Sequence, residues 1–542
     1  MHIIIFYFAV STCFASEIEV VGYDWLGHFG YVNHNGSFMW NQDWQAGPFF
    51  FDGTWNNNPG LMGPNIRKNF SNLKNDPIFI DTSTTNIIDT SATKSSFQYD
   101  EGDFFQDEFS AMVRFNGNSR NIQLNAYKRS FAGKYNQYTP VNESPKPIHQ
   151  TYTINYQSNK RNEYICAAIG QFNTSSGIPD TIVKALYKSN ISSSNLVWLK
   201  KYRNFESKVV FNNFLQMFYS NHSYTDSLNL FEPSSKNRRY LTRSRYIGEL
   251  SWNSGSNITV FTKIEHNSRG VDISSFERYK WQNIELGVYL GKIKIGTGVF
   301  SHANKNSLIF DFLYQYKKNN KNFNLFYNNI PHPTHPFYRA ENSYSKKEKL
   351  GIRSGIDFNS INFELWGYTT ILKSDRILTE FSTSMIEKNS SAGAKADIMF
   401  YQRIKLSTVY KYQDAEDIIS DGVKNKIILG AQTKFFIMKD ILGINAEAQI
   451  NGWFNRQSSG ILHPVEGIPI NIGKKSLEDL WFISTTVNAQ ISNFSISYTW
   501  RSLIDNTLLK LGNVDSGNLS VHPFFPEIGR QSNLSVKWNF LD

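Results

Sequence analysis

From about Ser95 to its end the chain alternates apolar and polar residues with period two, in segment after segment. Side chains of an extended strand point to opposite faces in turn, so each segment of this kind is a strand with one apolar and one polar face. Residues 494–500 set Phe494, Ile496, Tyr498 and Trp500 against Ser495, Ser497 and Thr499. Residues 444–451 oppose Ile444, Ala446, Ala448 and Ile450 to Asn445, Glu447, Gln449 and Asn451. In 534–540 the apolar face is Leu534, Val536, Trp538 and Phe540, with Trp538 read as mid-strand. Residues 361–367 place Ile361, Phe363 and Leu365 opposite Asn362, Glu364 and Trp366, and 308–316 repeat the pattern with Leu308, Phe310, Phe312, Tyr314 and Tyr316. The fold class is all-β.

A soluble sandwich also alternates in this way, because its outer faces meet water. Three features favour a closed barrel in a membrane. The polar faces carry Asn, Gln, Lys and Glu, as a wet lumen requires, and aromatic residues gather near strand ends. The third is a strict alternation of short and long connections. Counted backward, a last strand at 531–540 follows a long connection near 504–530, and pairs follow at 479–491 with 493–504, 424–437 with 443–456 and 391–402 with 403–414. The series continues with 346–358 and 360–373, 306–318 and 321–330, 279–291 and 293–302, and 239–252 and 257–266. Earlier pairs are 194–203 with 206–219, 149–158 with 162–172 and 107–115 with 120–131, after a first strand near 95–100. The expectation is an antiparallel barrel of about 22 strands with both ends on one side. Within 179–203, Ile182-Val183-Lys184-Ala185-Leu186 also suits a helix.

Composition agrees with strands in a membrane. Aromatic residues are 15% of the chain and charged residues only 19%, against roughly 25% charged in ordinary soluble proteins. No stretch after the N-terminus reaches the roughly 18 apolar residues of a spanning helix. The apolar run Ile3–Val10, followed by Cys13-Phe14-Ala15, reads as a signal peptide over residues 1–15. Past it one cysteine remains, Cys166, which excludes an internal disulfide and a multi-thiolate zinc site.

Residues 16–94 do not alternate cleanly. They hold Trp25, Trp40, Trp44 and Trp55 among glycines and polar turns, and read as a separate small segment that a wide lumen can house.

The whole chain resembles the TonB-dependent receptors of bacterial outer membranes. The end, Pro526-Glu527-Ile528-Gly529-Arg530 followed by LSVKWNF, is similar to that family's closing strand, with Gly529, Arg530, Trp538 and Phe540 at the matching positions. Leu541 and Asp542 trail the family's terminal Phe, and the Pro is displaced from the Gly-Arg. Glu17-Ile18-Glu19-Val20-Val21 resembles the family's energy-coupling segment, and Phe50-Phe51-Asp52-Gly53 its plug turn at Asp52-Gly53. Residues 16–94 span 79 positions (94 − 15), about half of what the family uses. The resemblance therefore implies a shortened plug, or no plug at all, at 16–94 and a barrel at 95–542. It implies an outer-membrane location, contact with outer-membrane lipid, passage through the barrel-assembly machinery and coupling to a TonB-like protein.

Other chemistries weigh less. His332 and His335 lie among prolines, which prevent a helix that would aim both rings one way, and read as a stiff loop. Gly296-Thr297-Gly298 lacks the Lys-Ser or Lys-Thr of a phosphate loop and reads as strand glycines beside aromatics. No Gly-x-Ser-x-Gly is present, so no enzyme and no cofactor is expected. The net charge of +10 is spread over turns, as in Lys317-Lys318, which argues against nucleic acid. The expected function is uptake of a solute. Tyr135, Tyr138, Phe337, Tyr338, Phe454 and Phe524 are candidates for facing it from loops and lumen. A passive porin-like channel and a surface adhesion or scaffold barrel are the alternatives.

Overall fold

The computed structural model describes residues 30–32, 38–40 and most of 94–541. Within that last span, 118, 131, 133–147, 179–184, 221–237, 256, 273–275, 334–343, 359, 375–385, 401–402, 415–422, 439–440, 458–475 and 502–530 lie outside the described residues. The signal-peptide reading and nearly all of 16–94 lie outside them too. From that segment, β1 (Gly30–Val32) and β2 (Phe38–Trp40) pair antiparallel with each other.

The barrel begins with β3 (Lys94–Gly102), β4 (Gln106–Gly117), β5 (Arg120–Ser130), β6 (Ile148–Lys160), β7 (Glu163–Ile178), β8 (Ala185–Tyr202), β9 (Phe205–Ser220) and β10 (Arg238–Asn253). It continues through β11 (Ile258–Asp272), β12 (Phe276–Leu290), β13 (Ile293–His302), β14 (Lys305–Lys318), β15 (Lys321–Pro333), β16 (Tyr344–Phe358) and β17 (Ile361–Ser374). The rest are β18 (Ile386–Phe400), β19 (Ile404–Gln413), β20 (Val423–Ile437), β21 (Leu442–Gln457), β22 (Ser476–Leu477), β23 (Leu480–Ile491), β24 (Phe494–Arg501) and β25 (Gln531–Leu541). Each pairs antiparallel with its neighbour, and β25 closes on β3. β22 and β23 both pair with β21 and form one strand broken at Glu478-Asp479, so the described barrel has 22 strands. The break is bridged by Asn455 N donating to Asp479 Oδ1 at 2.8 Å and Arg456 Nη1 donating to the Glu478 carbonyl at 2.9 Å.

Closure removes every sheet edge, as hydrocarbon demands of a spanning sheet. The pleat decides which side chain faces out. Leu308 is 68% exposed and its neighbour Ile309 only 6%; Ile284 and Leu286 are 52% and 57% exposed while Trp281 is 4%. So extensive an exposed aliphatic surface is a liability in water and the expected surface against lipid. Phe115, Tyr202, Phe205, Trp252, Phe358 and Phe400 stand exposed on that outward face beside the tight turns, forming an aromatic girdle.

The parity read from the sequence holds: β3 starts and β25 ends on the side of the tight turns. The strict length alternation does not. β13 and β14 are joined on the opposite side by Ala303-Asn304 alone, with φ of 47° and 66°. Two central residues of positive φ make the turn whose twist suits a hairpin.

Three further readings change. Trp538 is level with Phe494, the first strand residue after the turn at 492–493, so it lies near the tight-turn rim and not at mid-strand. The stiff loop read around His332 and His335 starts later, because β15 runs to Pro333 and its Pro331 and Pro333 pair with Lys346 and Tyr344 of β16. Past Asn329 that strand has no β14 partner, and an edge tolerates proline because no ladder bond is lost. The helical alternative at 182–186 fails where it is described: Ala185 and Leu186 are in β8, opposite Ile178 and Gly177.

Candidate functional site

The inward faces of the strands form the wall of the lumen, and its chemistry is charge held in cross-strand pairs. Arg245 on β10 donates to Glu265 on β11 from Nε at 2.7 Å and from Nη2 at 3.2 Å. Such a two-pronged guanidinium–carboxylate contact is strong and directional. Asn267 Nδ2 donates to the same carboxylate at 2.9 Å. Lys263 lies 3.4 Å from Glu265 and 3.2 Å from Glu285 of β12, which extends the network to a third strand. On β13 and β14, Lys294 meets Asp311 at 2.5 Å, and its ammonium lies 5.4 Å and 5.8 Å from the ring centres of Phe261 and Tyr289.

Farther round the barrel, Lys349 of β16 lies 4.4 Å from the ring centre of Tyr368 and 5.3 Å from that of Phe326. The Arg353 guanidinium pairs with Glu364. Asp397 sits between Lys395 at 3.2 Å and Lys405 at 3.6 Å. One row crosses six strands: Arg353, Trp366, Gly393, Lys411, Lys426 and Trp453 are successive register partners. Lys411 and Lys426 are both buried.

Glycines, among them Gly393 and Gly287, make room for the aromatic surface of this wall. A Cβ on Gly393 would lie 2.3 Å from Trp366 Cζ2, and one on Gly287 2.4 Å from the Phe261 ring. Each ring lies over the space that a side chain would fill, the close approach that strand glycines allow. The Gly296-Thr297-Gly298 run is mid-strand in β13, where a Cβ on Gly298 would meet the Ile284 carbonyl at 2.3 Å.

The structure assembles few of the residues singled out from sequence. Glu17, Ile18, Glu19, Val20, Val21, Asp52, Gly53, Tyr135, Tyr138, Phe337, Tyr338, Phe524, Gly529 and Arg530 lie outside the described residues. Phe454 is opposite Asn425, on the outward face with Tyr410, and packs edge-on against Trp481 at 4.8 Å. It therefore faces away from the lumen, because the pleat next to Trp453 turns it outward. Trp538 and Phe540 stack at 4.8 Å on the outward face of β25. Among the described residues, no group of three His, Cys, Asp or Glu is placed to hold a metal ion. Sequence spacing does not reveal the cross-strand pairs Arg245–Glu265 and Lys294–Asp311, because strand register brings their members together; the visible signal is the recurrence of Lys and Glu on polar faces.

In fold class, the described barrel, closed by 22 antiparallel strands with an apolar exterior and a charged lumen, is similar to the barrels of solved bacterial receptors and transporters. The apoprotein form of the FrpB iron transporter from Neisseria meningitidis superposes with a TM-score of 0.63 at 9% identity, over 84% of this chain and 82% of that one. The siderophore receptor PirA from Acinetobacter baumannii gives 0.60 at 12% identity, over 83% and 81%. The ferripyoverdine receptor of the Pseudomonas aeruginosa outer membrane gives 0.57 at 11%, over 83% and 72%. No protein-family model and no curated protein matches the chain.

Proposed function

We propose that this chain is an outer-membrane transport barrel of the TonB-dependent receptor type, taking up a polar solute through its lumen. The observation that carries this reading is the pairing of a continuous aliphatic exterior with a lumenal wall of ion pairs and aromatic-flanked cations. Lipid outside and a hydrated path inside account for both. The fold likeness to an iron transporter, a siderophore receptor and a ferripyoverdine receptor of an outer membrane supports the same reading.

In this reading residues 1–15 direct export, the barrel-assembly machinery inserts the strands, and outer-membrane lipid surrounds them. The long connections, such as 502–530, face outward and meet the solute. Residues 16–94 act as a shortened plug, and a TonB-like partner pulls on Glu17–Val21. The test is uptake by cells carrying the protein, with and without collapse of the proton gradient. Uptake that stops on collapse supports the energised transporter. Uptake that continues identifies a passive channel, the second reading, which the brevity of residues 16–94 favours. A scaffold barrel transports nothing under either condition.

A further inference from the structure

On four adjacent strands the outward face changes from aliphatic to polar within one step of the pleat. Going away from the tight turns, Ile264 is followed by His266 on β11 and Ile284 by Gln282 on β12. Likewise Val299 is followed by Ser301 on β13 and Leu308 by Asn306 on β14. The polar row is internally bonded: Gln282 Nε2 lies 3.2 Å from His266 Nδ1, and Ser301 Oγ donates to Asn306 Oδ1 at 2.7 Å. Lys280, opposite Ser268, stands one pleat step beyond that row, and Arg278 one step further. Both cations are exposed; Asp272 of β11 stands diagonally across from Arg278, and among the side chains described no carboxylate holds either cation. The connections above them are short: residues 273–275 between β11 and β12, and Ala303-Asn304 between β13 and β14.

We infer that this place is a seat for the phosphorylated headgroup of an outer-leaflet glycolipid. The inference rests on the outer-membrane reading with the long connections outward. Acyl chains would lie on Ile264, Ile284, Val299 and Leu308. The hydroxyls and amides of the polar row would meet the sugar, and Arg278 and Lys280 the phosphate. Charge complementarity chooses the occupant: two cations about 7 Å apart along one strand, with hydrogen-bond donors beneath them, match an anionic headgroup resting on its own acyl chains. The short connections leave headgroup access from the side.

The test is native mass spectrometry of the detergent-solubilised full chain, mixed with a diphosphorylated acylated glucosamine disaccharide, its dephosphorylated form, phosphatidylglycerol or inorganic phosphate. The diphosphorylated lipid should be retained and the dephosphorylated form should not, a comparison that needs no variant. Arg278→Gln with Lys280→Gln should lower retention at least about ten-fold, the order expected of two cations at a lipid surface. Arg120→Gln with Lys200→Gln, at the other rim, should not. Equal retention of the dephosphorylated lipid, equal or better retention of phosphatidylglycerol, binding of inorganic phosphate alone, or unchanged retention by the double variant would each overturn the seat. Fractionation and heat-modifiability of the same preparations separate this from failure of the broader reading. A heat-modifiable outer-membrane protein that fails the lipid test sinks the seat alone.

Discussion

Trp538 of β25 stands directly opposite Phe97 of β3, so the seam that closes the barrel is joined on its lipid side by an aromatic pair. Trp538 also meets Phe494 of β24 edge-on at 6.1 Å and stacks on Phe540, whose ring lies 5.8 Å from Phe97. Cross-strand aromatic pairs are worth up to about 1 kcal/mol each. This cluster ties the last strand to both of its neighbours.

Depth along that seam sets the first prediction. Trp538 lies near the tight-turn rim, where a charge costs about 0–1 kcal/mol, whereas a basic residue at the membrane midplane costs about 2–4 kcal/mol. Val536, opposite Tyr99, is one pleat step deeper. Trp538→Asp should impair assembly modestly, mostly through the lost aromatic contacts, and Val536→Lys more strongly, at a cost between those two limits. The fraction of heat-modifiable, membrane-inserted protein measures both. A larger loss for Trp538→Asp would show that the depth assignment is wrong.

The lumenal pair Arg245–Glu265 sets the second. Glu265 is 6% exposed and holds Arg245, Lys263 and Asn267 together. Removing one member of a buried pair leaves the other uncompensated, at about 3–5 kcal/mol. Glu265→Ala should lower the unfolding temperature in detergent more than Arg245→Ala with Glu265→Ala does. Strictly additive single effects would refute the coupling.

Gly393 sets the third. Valine there would meet the Trp366 indole, and overpacking of this kind costs about 1–3 kcal/mol. Gly393→Val should shift the tryptophan emission and lower stability. Adding Trp366→Ala should recover the stability. If the second change brings no recovery, the ring does not occupy that space.

The fourth concerns residues 16–93, which precede β3. Deleting them while keeping Lys94, where the barrel begins, should raise the single-channel conductance of the assembled barrel in planar bilayers. Unchanged conductance would mean that the segment does not constrict the lumen and is a periplasmic arm.

Sidedness is the fifth. An epitope inserted in 502–530 should be labelled on intact cells, and one inserted at Arg203-Asn204 only after permeabilisation. The reverse pattern would invert the barrel, and with it the side on which Arg278 and Lys280 lie.

Period-two alternation is a local property, so the sequence alone determined that Phe494, Ile496 and Leu534 face one way and Ser495, Ser497 and Ser535 the other. A strand's two faces follow from its own residues. Strand number and parity were legible for a related reason, since turns punctuate the pattern locally. Register and depth were not, because they depend on how far each strand slides along its neighbour. Only that sliding placed Trp538 at the rim and made Asn329 the last β15 residue to meet β14. The lumenal chemistry needed it as well. Arg245 meets Glu265, Lys294 meets Asp311 and Trp366 covers Gly393 because hydrogen-bonded strands bring residues 17 to 27 positions apart in the chain to diagonal or directly opposite positions. Alternation makes each of those side chains polar or aromatic, but the pairing of strands in the closed sheet chooses its partner.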